Sequence, residues 1–296
     1  MTRLLFNLDA DEALFRNIAN GLDADRGVIE RRRFPDGESY VRIDSDCGGR
    51  KVQIVSGLLR PDERFLTLIF AAATIRELGA DRVGLVAPYL PYMRQDKRFR
   101  PGEAITSRHF AALISQHFDA LITVDPHLHR FASLNEIYSI ECSVVPAAPA
   151  LAHWIMSNVS APVIVGPDAE SEQWVAAVAG LASAPYAICN KVRSGDRDVA
   201  VSLTGIELPA GRTPVLVDDI ISTGRTMAVT IEHLITAGCS PPVCVGVHAA
   251  FDDSAHELLM SAGAAAVVTC NTVTHASNAI DLAPPIIAAI RESCVD

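Results

Sequence analysis

Residues 215–227 read V-L-V-D-D-I-I-S-T-G-R-T-M: an apolar strand, two adjacent acids, a short Ser/Thr/Gly turn, and a helix opening near Met227 and continuing through Ile231 and Leu234. A small-residue turn entering a helix leaves several backbone N–H groups unpaired and aimed at one point, where the helix dipole also favours an anion. Ser222, Thr223 and Thr226 add hydroxyls, and Gly224 lets the backbone bend with no Cβ in the way. Asp218 and Asp219 follow the apolar run Val215, Leu216 and Val217, at the strand end where ligands of open α/β sheets bind. Two carboxylates there accept hydrogen bonds from vicinal hydroxyls, so phosphate cradle and acid pair together describe a pentose 5-phosphate site. Alone, the acid pair reads as a solvated strand end and S-T-G-R-T as a turn with an N-cap. The ordered strand-turn-helix context carries the functional reading.

Working outward, apolar runs and helical periodicities alternate along the chain. Strands are expected at residues 4–6, 51–56, 82–87 and 120–124, with helices at 11–18, 63–78 (amphipathic) and 106–116. Residues 28–33 and 40–43 flank the turn F-P-D-G-E as two strands. Residues 146–150, P-A-A-P-A, interrupt the pattern, and the alternation then restarts. The second half offers strands at 161–165, 187–189, 199–203, 243–247 and, as the last, 265–269, with helices at 172–182 and 284–291. This rhythm signals α/β architecture: mainly parallel sheets flanked by crossover helices, in two domains of similar layout, 1–145 and 146–283.

A chain of 296 residues suits two domains of ordinary size. With 49% hydrophobic and 20% charged residues it is globular rather than disordered. A net charge of -10 argues against nucleic-acid and anionic-membrane binding, so any anionic substrate must be held by locally concentrated Arg and Lys. Seven scattered cysteines with no C-x-x-C pair indicate neither a disulfide framework nor a zinc site. No apolar run reaches membrane-spanning length and the N-terminus does not read as a secretory signal, so a cytoplasmic protein is expected.

Four further groups stand at strand ends. The loop 93–103 places Arg94, Lys97, Arg98 and Arg100 close together, either as a solvated charge run or as a polyphosphate clamp. Asp125 and His127, with His129 beyond, follow the strand at 120–124 and suit a divalent metal or a phosphate oxygen, although a lone His there is more often structural. Lys191 and Arg193, at alternate positions of an extended segment ahead of the polar stretch 194–198, share one side and suit charge on a transferring phosphoryl group. Phe34, at a loop edge beside acids, presents a ring that a base can stack on.

With these residues quoted, the chain resembles the ribose-phosphate diphosphokinase (phosphoribosyl pyrophosphate synthetase) family nearly end to end. The motifs run in order: F-P-D-G-E at 34–38, R-Q-D at 94–96, D-P-H at 125–127, G-P-D at 166–168, K-x-R at 191–193 and V-D-D-I-I-S-T-G-R-T at 217–226. S-T-G-R-T in place of D-T-A-G-T, and D-P-H in place of D-L-H, resemble the archaeal-type branch; residues 168–171, D-A-E-S, replace a Gly-rich turn. The resemblance implies two phosphoribosyltransferase-like (type I) domains, with the C-terminal helix 284–296 packing back on the first. It implies transfer of the diphosphoryl group of ATP to the 1-hydroxyl of ribose 5-phosphate, giving phosphoribosyl pyrophosphate and AMP, with Mg²⁺ as cofactor.

Carried over by position, Ser222, Thr223, Gly224, Arg225 and Thr226 hold the 5-phosphate while Asp218 and Asp219 take the ribose hydroxyls. Lys191 and Arg193 neutralise the transferring group. His127, with Asp125, binds Mg²⁺ on ATP, and Asp168 lies near a second metal or the ribose. Arg94, Gln95 and Asp96 contact ATP, while Phe34, Asp36 and Glu38 reach the adenine held by a neighbouring subunit, which implies a homo-oligomer. A plain phosphoribosyltransferase would need only one such domain and none of R-Q-D, D-P-H or K-x-R. A catalytically silent regulatory homologue is opposed by the presence of Lys191, Arg193 and His127.

Overall fold

A computed structural model describes residues 3–128, 130–193, 199–202 and 211–293; His129, residues 194–198 and Leu203, which entered the readings above, lie outside the described residues. The chain divides into two compact units, Met1–Pro146 with Leu282–Asp296, and Ala147–Asp281.

In the first unit the order is β1 (Leu4–Leu8), α1 (Glu12–Leu22), β2 (Asp25–Arg26), β3 (Ile29–Arg33), β4 (Ser39–Ile43), β5 (Lys51–Ser56), α2 (Phe65–Glu77), β6 (Arg82–Ala87), α3 (Thr106–His117), β7 (Ala120–Val124) and β8 (Glu141–Val145). Six strands form one parallel sheet in the order β2-β1-β5-β6-β7-β8, and β3 and β4 pair antiparallel as a separate hairpin. The central strands are mostly apolar because they are buried on both faces: Val52, Ile54 and Val55 of β5, Val83, Leu85 and Val86 of β6, and Leu121, Ile122 and Val124 of β7 are all buried, with Gln53, Ser56 and Thr123 as buried polar exceptions. Asp11 caps α1, its carboxylate accepting from the Leu14 N–H at 2.9 Å.

The helix expected as amphipathic at 63–78 is less polarised than that. A separate 3-10 turn covers Pro61–Glu63, and α2 buries Leu68, Ala71, Ala72 and Ile75 while turning Leu66 and Phe70 outward, 60% and 45% exposed.

The second unit runs α4 (Ala148–Asn158), β9 (Pro162–Gly166), α5 (Glu172–Leu181), β10 (Tyr186–Ile188), β11 (Asn190–Arg193), β12 (Val199–Ser202), β13 (Thr213–Ile221), α6 (Arg225–Thr236), β14 (Val243–Ala249), α7 (Asp253–Ser261), β15 (Ala266–Cys270) and β16 (Asn278–Ile280). Its parallel sheet has the order β10-β9-β13-β14-β15-β16, with β11 and β12 as an antiparallel hairpin. Position for position this is the plan of the first unit, down to a hairpin inserted after the second strand.

Three expectations are corrected here. The interruption at residues 146–150 is the start of α4: Pro149 sits in its first turn, where a missing N–H costs no helical bond. The strand at 265–269 is not the last, since β16 pairs with β15 across a register shift at Thr269/Cys270. Strand β13 does not stop at Val217 but continues through both acids to Ile221, Asp218 pairing with Gly246 and Ile221 with Ala249 of β14.

The chain closes with α8 (Ala283–Glu292), which belongs to the first unit and lies against α1. Gly21 permits this contact: a Cβ there would stand 2.3 Å from the Ile287 Cδ1, and Arg291 Nη2 donates to the Gly21 carbonyl at 2.6 Å.

Candidate functional site

Each sheet has one place where the strand order reverses, and ligands of open parallel sheets bind outside the carboxyl ends of the two strands flanking it. In the second unit those strands are β9 and β13. Beyond β13, Gly224 is the N-cap of α6 at φ 69°, a left-handed conformation, and no side chain caps the helix. A Cβ on Gly224 would come to 3.4 Å from both the Ala255 carbonyl oxygen and Leu259 Cγ of α7, an ordinary contact, so glycine is favoured there by its left-handed conformation rather than by space. The first-turn N–H groups of α6, from Arg225 onward, have no acceptor within the helix and follow closely on Ser222 and Thr223. Ser222 and Thr226 are half-buried, Thr223 and Arg225 exposed.

The acids sit within the same strand. Asp219 Oδ1 accepts from the Ile220 N–H at 2.8 Å. Burial first, then the charge of Asp219 and that of Asp168, holds the Asp218 carboxyl well above the usual carboxylate range. Asp168 thus joins the pair from the end of β9, across the switch point. Its carboxylate is also felt at Cys189: burial, then Asp168, raises that thiol to about 11. Residues 168–171 form a turn, 3-10 over Ala169–Ser171, in which the Ser171 hydroxyl donates to the Asp168 carbonyl at 2.6 Å. Gly166 makes room for it, since a Cβ there would stand 2.6 Å from the Ser171 Oγ. Lys191 and Arg193 lie in β11 opposite Val201 and Val199 of β12, and β12 lies against α6.

The first unit repeats the switch point, between β1 and β5, but closes it. Asp9 bridges to Ser56, and a Cβ on Gly57 would lie 2.1 Å from the Asp9 carbonyl oxygen. The Asp9 carboxylate is paired with Arg31 of β3 and lies 3.8 Å from Arg64. Nothing like the α6 cradle is built there.

Instead the first unit displays its remaining groups on loops. The β3–β4 hairpin turns at Gly37 (φ 93°), the Phe34 N–H donating to the Glu38 carbonyl at 2.8 Å, and leaves Phe34, Asp36 and Glu38 exposed. The Phe34 ring carries the Arg32 guanidinium at 4.5 Å and stands edge-on to Tyr40 at 6.1 Å. After β6, Arg94 is exposed and the Gln95 carbonyl accepts from the Ser107 N–H and hydroxyl at 3.4 and 3.2 Å. Asp96 stands apart from its neighbours: buried, it accepts from Arg130 Nη1 at 2.9 and 3.0 Å through its two oxygens. After β7, Asp125 turns the chain at φ 29° with its N–H donating to the Val145 carbonyl, and His127 is half-buried. Arg130 escaped the sequence reading; only its place three residues beyond D-P-H could have drawn attention to it.

A divalent cation fits the donor set in a limited sense. Asp168, Asp218 and Asp219 are hard oxygen donors that repel one another, which a cation would relieve, yet among the described residues no three His, Cys, Asp or Glu side chains converge to cage an ion. A hard divalent cation is commonly held by one or two carboxylates, with water and substrate phosphates completing the shell.

Comparison with known proteins completes the picture. Residues 3–117 match the N-terminal domain of ribose phosphate pyrophosphokinase, and residues 135–285 match the phosphoribosyl transferase domain. The chain is 32% identical to a ribose-phosphate pyrophosphokinase of Methanopyrus kandleri, covering 94% of this chain and 95% of the relative. It is 30% identical to one of Sulfurisphaera tokodaii, covering 88% and 91%. The crystal structure of phosphoribosylpyrophosphate synthetase from Mycobacterium smegmatis superposes with a TM-score of 0.85 at 25% identity, covering 98% of each chain.

Proposed function

The chain belongs to the ribose-phosphate pyrophosphokinase family, and from that premise we propose that it transfers the diphosphoryl group of ATP to the 1-hydroxyl of ribose 5-phosphate. The observation that carries the proposal is the switch point of the second unit, where the N-terminus of α6 has no side-chain cap and the Asp218 carboxyl is raised by burial and by the charges of Asp219 and Asp168. In this reading the 5-phosphate accepts from the first-turn N–H groups of α6 and from Ser222, Thr223 and Thr226, with Arg225 adding charge at the rim. Asp218 and Asp219 accept from the ribose hydroxyls and fix the sugar so that its 1-hydroxyl faces the phosphoryl chain.

The oxygen of that hydroxyl forms a bond to the β-phosphorus while the bond from the β-phosphorus to the bridging oxygen of the α-phosphate breaks. AMP leaves with that oxygen and the hydroxyl proton is released. Lys191 and Arg193 neutralise charge on the transferring group. Mg²⁺, when bound, would shield the phosphate oxygens from one another; His127 with Asp125 would hold the Mg²⁺ on ATP, and Asp168 would lie near a second metal or the ribose.

Arg94 and Gln95 bind the triphosphate, and Phe34, Asp36 and Glu38 receive the adenine of ATP bound by a neighbouring subunit, so the enzyme works as a homo-oligomer. The six cysteines among the described residues are free thiols, which suits a reducing cytoplasm. No described helix is long and apolar enough to cross a membrane.

A coupled assay of AMP formation tests the activity. AMP appearing only when ATP, Mg²⁺ and ribose 5-phosphate are all present is expected; ADP in its place, or no product from folded protein, overturns the proposal.

A further inference from the structure

We propose that Arg130 is a further phosphate-binding residue of the nucleotide half, and that buried Asp96 is its positioning residue. The inference rests on the ATP reading above. Its starting point is a carboxylate in an expensive place: the Asp96 side chain is only 3% exposed, and a buried charge needs a partner. Both Asp96 oxygens are satisfied by the single nitrogen Nη1 of Arg130, at 2.9 and 3.0 Å. A guanidinium has five N–H donors, so this one-nitrogen contact fixes the group while committing only part of it.

The Arg130 side chain is itself 43% exposed, and its guanidinium carbon lies 5.5 Å from the centroid of Phe99, a ring 57% exposed. Lys97 approaches the same ring, its Nζ 5.1 Å from the centroid. Two cations therefore gather at one aromatic ring on the rim of the 93–103 loop. That loop is held in shape from within. The Glu103 carboxylate accepts from the Phe99 and Arg100 N–H groups at 2.8 and 2.9 Å, and Arg98 Nε donates to the Glu103 carbonyl at 3.0 Å.

The pair also joins two segments that the ATP reading uses separately. Asp96 directly follows Arg94 and Gln95, beyond β6; Arg130 follows Asp125 and His127, beyond β7; and β6 and β7 are neighbours in the sheet. A buried ion pair is a poor device for stability, because desolvation offsets the Coulombic gain, but a good one for holding a guanidinium in a fixed direction. A polyphosphate is the anion whose charge and oxygen geometry suit an Arg fork beside a Lys.

The test is steady-state kinetics of AMP formation for the wild type, Arg130→Met, Asp96→Asn and the double variant. Arg130→Met should raise KM for ATP roughly tenfold, as loss of a charge-assisted contact does, and leave KM for ribose 5-phosphate unchanged. Asp96→Asn should raise KM for ATP by less. The double variant should be no worse than Arg130→Met, because Asp96 acts only through Arg130. Arg130→Met alone strands a buried carboxylate and is prone to misfold. The double variant removes both charges and keeps the test decisive, and its wild-type KM for ATP would overturn the proposal, as would additive effects of the two single changes. A wild type that forms no AMP from ATP and ribose 5-phosphate defeats the ATP reading itself, and Arg130 with it.

Discussion

Replacing Gly224 by alanine probes the cradle directly. At φ 69° an L-residue costs about 1–2 kcal/mol relative to glycine, and the added Cβ meets the Ala255 carbonyl oxygen and Leu259 Cγ at 3.4 Å. In the ligand-free protein the turn can relieve that strain by rotating away from the left-handed conformation. Anion binding then has to restore it, because only in that conformation do the first-turn N–H groups of α6 converge. With about 1.4 kcal/mol per tenfold, Kd for ribose 5-phosphate should rise roughly 5- to 30-fold. Isothermal titration of both proteins with ribose 5-phosphate measures the change, and a melting curve checks the fold. If the turn does not relax, the same strain appears as a fall in Tm of roughly 2–4 °C per kcal/mol. An unchanged Kd in a variant that melts with the wild type refutes the reasoning.

Three other expectations follow from named contacts. Lys191→Ala should abolish AMP formation while leaving the Kd for ribose 5-phosphate within about twofold, the signature of a contact made to the transferring group; loss of both, or of neither, counts against the role. The raised Asp218 carboxyl means the folded state keeps a proton that the unfolded state gives up from about pH 3.8. Its stabilisation is full below that pH and disappears as pH rises through the folded value, so a Tm–pH curve of ligand-free protein should fall there and flatten in Asp218→Asn; an identical slope in both would refute the burial argument. Gly21→Val should lose about 1–3 kcal/mol in urea denaturation, because its Cβ would stand 2.3 Å from Ile287 Cδ1, with Ile287→Ala in the same chain recovering part of the loss.

The parallel α/β layout, the duplication and the phosphate turn are all local in origin. A strand buried on both faces is mostly apolar, as residues 52–55, 83–86 and 121–124 are apart from Gln53 and Thr123, and a glycine before a helix with Ser and Thr around it has a conformational reason that needs no distant partner. The same locality explains the misreadings. Pro149 looked like a break because proline ends helices as readily as it begins them, and only the backbone ahead of it decides which. The short edge strand β16 and the helix α4 carry weak periodicity of their own and exist through their packing partners.

What no local reading reaches is the pairing of residues far apart in the chain. Asp96 and Arg130 are separated by 34 positions and meet because β6 and β7 are neighbours. Asp168 shifts the Asp218 carboxyl across the β9–β13 switch point, and the equivalent crevice of the first unit is closed by Asp9, Ser56 and Gly57. Residue types and turn chemistry, written in the sequence, determined that a small-residue turn entering a helix and a cationic loop would form. Which acid faces which cation, and which of the two switch points is bridged by Asp9 and Ser56, was decided only by the tertiary structure, because burial and Coulombic coupling depend on distances that sequence separation does not encode.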